Sequence, residues 1–253
     1  MPTATPKITA LIPARYQSNR FEGKPLALIQ GKPMIQHVVE RAQGVVLLSQ
    51  VVVATDDERI ARVVEGFGGV SVMTRRDHAT GTDRLAEAAH LLGLADEDII
   101  VNIQGDQPLF PPEIVEQVAR PLIDDAALPM ATLIYKIIRP EEIPDPNHVK
   151  TVFDCHGNAL YFSRAPIPFQ RDPGESESPT YYKHLGFYAY RKGFLDTFVK
   201  LPEGQWERFE KLEQLRALEF GYTIRVVLTD HDSVEVDTPK DLLRVEELLM
   251  ACR

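Results

Sequence analysis

"VVVATDDERIARVVEGF", residues 51–67, changes its hydrophobic period part-way along. Val51 to Ala54 form an unbroken apolar, β-branched run, which reads as a strand buried on both faces. From Asp57 onward the apolar residues recur with a helical period. The same switch precedes this stretch, where "ITALIP" (8–13) leads to "PMIQHVVERA" (33–42), whose Ile35, Val38, Val39 and Ala42 stand at i, i+3, i+4 and i+7. It follows twice more, as "VSVM" (70–73) before "DRLAEAAHLLG" (83–93) and "IIVNIQ" (99–104) before "PEIVEQVARPL" (112–122). Repeated strand–helix units predict an α/β fold with a mainly parallel sheet covered by helices.

Between about 130 and 190 the helical period fades, and "MATLIYKII", "KTVFD", "ALYFS" and "HLGFYAYR" predict short strands of an antiparallel insertion or subdomain within one domain spanning 1–253. The proline-rich piece from Ala165 to Pro179 reads as a mobile surface loop. "FEKLEQLRALEF" (209–220) predicts a helix with Leu212, Leu215 and Leu218 inward, "TIRVVL" (223–228) and "SVEV" (233–236) predict strands, and a last helix starts at Pro239.

With 253 residues, 44% of them hydrophobic, the chain is long enough for a large core. No apolar run approaches the roughly 20 residues of a membrane span, and MPTATPK has no apolar signal core, so a cytoplasmic protein is expected. Cys155 and Cys252, 97 positions apart, give neither a disulfide framework nor a zinc spacing. A net charge of -9 argues against nucleic acid as a partner. Against that acidic background residues 7–34 carry Lys7, Arg15, Arg20, Lys24 and Lys32 with Glu22 as the one acid, a local charge of +4.

Open parallel sheets bind ligands outside the carboxyl ends of their strands. There the order of elements places Arg15 and Lys24 after the first strand, Asp106 after "IIVNIQ", and Asp237 after "SVEV". Asp106 in "GDQP" can be a plain turn residue, and Asp237 a helix cap. However, Thr238, Pro239 and Asp241 already supply a capping box with proline at its first helical position, which leaves Asp237 available. Cations and carboxylates together suit a nucleoside triphosphate held through a divalent ion. Two like charges about 4 Å apart cost on the order of 4 kcal/mol at an effective dielectric of about 20, and magnesium typically resolves this with one or two carboxylates plus phosphate oxygens. The chain has no P-loop, no G-x-G-x-x-G, no H-E-x-x-H and no G-x-S-x-G.

"IPARYQSNRFEGKPL", "GKPMIQHVVERA", "VVVATDDERI", "MTRRDHATGTDRLAE", "VNIQGDQPL", "ALYFSRAPIP", "HLGFYAYR", "LEQLRALEFG" and "VDTPKDL", in this order, resemble the 3-deoxy-manno-octulosonate cytidylyltransferases, or CMP-Kdo synthetases, over nearly the whole chain. The resemblance implies a Rossmann-like nucleotidyltransferase fold and a homodimeric, magnesium-dependent enzyme of lipopolysaccharide synthesis that joins CTP and Kdo into CMP-Kdo with release of pyrophosphate. It implies a triphosphate grip by Arg15 and Lys24, metal binding by Asp106 and Asp237, and nucleotide contacts from Ala14, Gly81, Thr82 and Gln104. The sugar side would be lined by Arg164, His184, Tyr188, Glu213 and Gln214, with Arg164 offering a forked donor to the sugar carboxylate. His184 and Tyr188 alternate along one strand face, as an ordinary polar face also would; Glu213 and Gln214 fall on the predicted helix.

This chain departs from the family's usual pattern at Phe21-Glu22 before Gly23-Lys24, at Gln107 where glutamate is common, at Glu235 where glycine is more usual, and at Asp83. A cytidylyltransferase for another acidic sugar, such as 8-amino-Kdo or a sialic acid, and a non-catalytic nucleotide-binding module are the competing readings.

Overall fold

In β1 (Ile8–Ala14), Ala10 and Ile12 enter the core on one side of the sheet and Leu11 the core on the other, and all three are fully buried. Burying a side chain the size of Leu11 or Ile12 stabilises by about 1.5–3 kcal/mol. Strands with two apolar faces have no place at a solvated surface, so helices must cover both sides. The computed structural model describes residues 6–17, 21–172 and 179–251.

After β1 come the short hairpin strands β2 (Leu28–Ile29) and β3 (Lys32–Pro33), α1 (Met34–Gln43), β4 (Gln50–Thr55), α2 (Glu58–Gly66), β5 (Val70–Met73), α3 (Gly81–Leu91), β6 (Ile99–Asn102) and α4 (Glu113–Asp124). The second half holds β7 (Met130–Lys136), β8 (Lys150–Phe153), β9 (Ala159–Ser163), β10 (Tyr182–Arg191), α5 (Lys192–Phe198), α6 (Gln205–Glu210), α7 (Leu215–Glu219), β11 (Ile224–Thr229) and α8 (Pro239–Ala251). The main sheet runs β11-β7-β10-β6-β1-β4-β5, with β8 attached to β10 and β9 to β8.

Strands β6, β1, β4 and β5 pair in parallel, as do β7 and β11. Between these groups β10 runs antiparallel to both β6 and β7. Residues of α1, α2 and α4 share one core with the sheet, and residues of α3, α5 and α7 share the other. A third small cluster of Ile29, Met34, Val236 and Val245 seats α8 beside the first loop.

Three local expectations are corrected. The helix expected over 209–220 is two short helices, because Lys211 turns left-handed at φ 55 and Arg216 reaches back to Glu207 with bonds of 2.7 and 2.6 Å. Glu213 and Gln214 therefore lie in the turn between them and not on a helix. The segment 233–236 joins no ladder among the described residues: Val236 donates its N–H to the Asp106 carbonyl at 2.9 Å, and no strand forms there. β6 also ends at Asn102, earlier than "IIVNIQ" suggests. Of the loop expected over 165–179, residues 173–178 lie outside the described residues, as do Arg20 and Cys252.

Candidate active site

Gly23 sits in the left-handed region at φ 69 and donates its N–H to the Tyr16 carbonyl at 2.9 Å, joining the two ends of the first loop. Glycine meets no steric cost there, whereas a Cβ would press on the Tyr16 ring at 3.2 Å. The Arg59 guanidinium covers that ring from 3.3 Å, so helix α2 braces the loop. This turn delivers Lys24 into the sheet's carboxyl edge.

There the Lys24 Nζ donates to Asp106 Oδ2 at 2.7 Å and to Asp237 Oδ1 at 3.3 Å. The two acids are 131 positions apart in sequence, yet the Val236–Asp106 backbone bond ties their segments side by side. The capping box at α8 forms as its sequence predicts: Asp241 Oδ2 accepts the N–H of Asp237 at 3.1 Å and of Thr238 at 2.8 Å. Asp237 is thereby oriented by its own helix while its carboxylate turns to Lys24.

The cleft around these groups has a volume of about 250 Å³ and brings together Ala14, Arg15, Lys24, Gly81, Gln104, Asp106 and Asp237. All seven stood among the sequence candidates. Thr82 lies just behind, buried, and donates to Glu213 Oε2. Gly81 opens helix α3, whose Thr80 cap is bonded to the Asp83 N–H at 3.1 Å; the first amides of such a helix suit an anion.

Asp106 and Asp237 offer hard oxygen donors already converging on one positive centre, which fits magnesium. Among the described residues no group of three or more His, Cys, Asp or Glu is placed to hold a metal, so substrate oxygens would complete the shell.

His78, Thr80 and Arg84 also line the cleft but were not picked out from the sequence. They fall inside a quoted motif, and no spacing rule marks them. Arg84 is a buried partner of Asp56 at 2.9 Å, and His78 Nε2 bonds to Glu87. Glu235 presents an exposed edge, but the crowding around its carboxyl, and then the nearby charges of Asp106 and Asp237, push that carboxyl up to about 7.

A second group lies along β10. His184 and Tyr188 do share a face, with ring centroids 5.1 Å apart. Thr132 Oγ1 donates to the Phe187 carbonyl at 2.6 Å and lies 2.9 Å from His184 Nε2. With its proton thus committed, Thr132 can only accept from the imidazole, which places the imidazole proton on Nε2 and leaves Nδ1 as an acceptor. Burial lowers the His184 pKa to about 3 and raises that of the Tyr188 phenol. Burial likewise raises the Glu213 carboxyl, despite its bond from Thr82. Glu213 Oε1 and Gln214 Nε2 are buried and make no hydrogen bond among the described residues. Arg164 is not part of the cleft lining; its guanidinium donates to the carbonyls of Glu210 at 2.6 Å, Pro146 at 2.8 Å and Lys211 at 3.4 Å.

A cleft that gathers Arg15, Lys24 and two carboxylates at the carboxyl edge of a mainly parallel sheet covered on both faces has the make-up of a nucleotidyltransferase. The chain belongs to the cytidylyltransferase family, whose profile matches residues 9–224. It is 60% identical over 244 residues to a 3-deoxy-manno-octulosonate cytidylyltransferase of Syntrophus aciditrophicus, covering 96% of this chain and 98% of that one. It is 58% identical over 237 residues to an 8-amino-3,8-dideoxy-manno-octulosonate cytidylyltransferase of Shewanella halifaxensis, covering 93% and 95%. A solved CMP:2-keto-3-deoxy-manno-octonic acid synthetase complexed with CTP superposes with a TM-score of 0.91 at 45% identity, over 98% of this chain and 100% of that one.

Proposed function

We propose that the protein transfers the cytidylyl group of CTP to the anomeric 2-hydroxyl of Kdo, giving CMP-Kdo and pyrophosphate for lipopolysaccharide synthesis. The observation that carries this reading is the convergence of Lys24, Asp106 and Asp237 in one cleft with Arg15 and the start of α3.

Arg15 and Lys24 hold the triphosphate, and the first amides of α3 face its negative charge. Asp106 and Asp237 would hold magnesium, which supplies charge neutralisation at the phosphates and lowers the pKa of the attacking hydroxyl. The acceptor falls to His184, Tyr188, Glu213 and Gln214, while Arg164, expected in the same set, has its guanidinium taken up by backbone carbonyls. In that set the neutral His184 offers Nδ1 to a sugar hydroxyl, Gln214 Nε2 makes no hydrogen bond among the described residues, and Glu213 Oε1 has only the Arg216 guanidinium at 3.8 Å, so both are polar atoms a ligand would satisfy. Little covalent work is left to side chains; orienting the two substrates can account for roughly 7 to 11 kcal/mol of the barrier.

A homodimer is the working unit we favour, supported by the exposed apolar Leu160 on β9 and Trp206 and Phe209 on α6. We place the reaction in the cytoplasm; no helix among the described residues is long and apolar enough to cross a membrane. The relative named for 8-amino-3,8-dideoxy-manno-octulosonate supports a second reading in which that amino sugar is the acceptor.

Pyrophosphate release with magnesium and CTP, comparing Kdo, its 8-amino analogue and no sugar, with UTP as control, tests the proposal. Release that needs both CTP and Kdo is expected. A preference for the amino sugar changes the acceptor, and no release with any acidic sugar overturns the reading.

A further inference from the structure

Gln107 is fully buried, and its amide nitrogen makes two bonds: to the Leu185 carbonyl at 3.1 Å and to Glu235 Oε1 at 3.0 Å. Those partners lie 78 residues further along the chain, on β10, and 128 residues further along, beside Asp237. Gln107 itself follows Asp106. One side chain thus joins the segments carrying both acids to the strand carrying His184 and Tyr188.

The point of attachment on β10 is a bulge. Pairing with β7 shifts register between His184 and Tyr188, and Gly186 inside the shift has φ 74. A Cβ at Gly186 would lie 3.7 Å from Glu235 Oε1 and 3.9 Å from Gln107 Nε2, so all three groups meet at the bulge. Gln104 adds a weaker bond from its amide to the Gly186 carbonyl at 3.4 Å. Bulges bend a strand and re-aim its side chains.

We infer that Gln107 and Glu235 are a matched pair of positioning residues, which hold the β10 bulge so that the acceptor-side residues stay in register with Asp106 and Asp237. The Leu185 carbonyl needs a donor from position 107, which an amide supplies, while the Gln107 Oε1 makes no hydrogen bond among the described residues. Two carbonyl-type oxygens, one from Leu185 and one from Glu235, need a donor between them, and a carboxylate at 107 supplies none. The inference rests on the transferase reading for its kinetic test, but not for its structural one.

Gln107→Glu is the first variant, Gln107→Glu/Glu235→Gln the second, and Gln107→Met, which keeps the length and drops the donors, stands in should Gln107→Glu fail to fold. Hydrogen–deuterium exchange of the 184–188 amides is expected to quicken in Gln107→Glu and to be partly restored in the double variant, where the 107–235 bond re-forms with reversed polarity. In parallel kcat/KM for the acceptor should fall by roughly ten- to a hundredfold, the size of loss that a displacement of about 1 Å produces, while CTP affinity by calorimetry shifts by less than about threefold. Exchange and kcat/KM both unchanged in Gln107→Glu and Gln107→Met would overturn the inference, as would an equal loss of CTP affinity. A wild-type protein inactive with every acidic sugar overturns the functional reading alone, because the exchange measurement needs no substrate.

Discussion

Replacing Lys24 with methionine removes the ammonium that Asp106 and Asp237 share while keeping the length of the side chain. The two carboxylate oxygens are at most about 6.0 Å apart, the legs of 2.7 and 3.3 Å laid end to end. At that distance and an effective dielectric of about 20 their repulsion is at least about 3 kcal/mol, present in both proteins but offset by the ammonium only in the wild type. The acids are only partly buried, with side chains 27% and 32% exposed, so solvent screening brings the expected loss nearer to about 1–2 kcal/mol. For a chain of 253 residues that is about 2–8 °C in Tm. Differential scanning calorimetry in EDTA should find Lys24→Met less stable by this amount. Added magnesium should then raise the variant's Tm more than the wild type's, because a divalent ion now neutralises a pair that no ammonium covers. Equal Tm values in EDTA, or equal magnesium increments, would refute both the assignment of the acid pair and the role of Lys24 as its counter-charge.

Three further outcomes follow from the same geometry. Asp237→Asn should cut turnover sharply at unchanged Tm, since capping of α8 falls to Asp241; near-normal turnover would sink its assigned role. His184 has a folded pKa of about 3 against about 6.5 unfolded, so the unfolded chain takes up a proton first as pH falls through that window and stability drops with it. Between pH 6 and 5 this amounts to about 1 kcal/mol, and urea titrations of His184→Asn should show a pH slope shallower by that amount; an identical slope excludes it. Glu207→Gln breaks the buried pair with Arg216 and should cost about 3–5 kcal/mol, whereas Glu207→Leu/Arg216→Met recovers most of it; an unmoved urea midpoint in the single variant counts against a structural role for the pair.

What the sequence disclosed was whatever local chemistry determines. The strands buried on both faces and the amphipathic helices announced the sheet. Lys24 and Asp106 were legible because the loops that carry them follow predicted strands, and Asp237 because Thr238 and Asp241 already accounted for the helix cap. What stayed hidden depends on distant partners. Glu213 and Gln214 lie off a helix because Arg216 bonds back to Glu207 and Lys211 turns left-handed, and neither event leaves a mark in the hydrophobic period. "SVEV" alternates as a strand does, but its neighbour is the loop at Asp106, which offers it one backbone bond and no ladder. Arg164 reads as a free forked donor until the carbonyls at the end of α6 are seen to occupy it. The double duty of Gln107 involves residues 78 and 128 positions away, beyond any local pattern.

The reversal of β10 between two sets of parallel strands has a consequence for how this protein could change. On the proposed reading, the donor-side groups follow β1 and β6 and precede α8, while His184 and Tyr188 ride on a strand that arrives from the opposite direction. Exchanges at His184 and Tyr188 would then retune what is accepted, whereas exchanges at Leu185 or Gly186 would also pull on Gln107 and, through it, on the segments of Asp106 and Asp237. On that reading, a lineage carrying this architecture can acquire a new acceptor by changes that spare the bulge, without first relearning its donor.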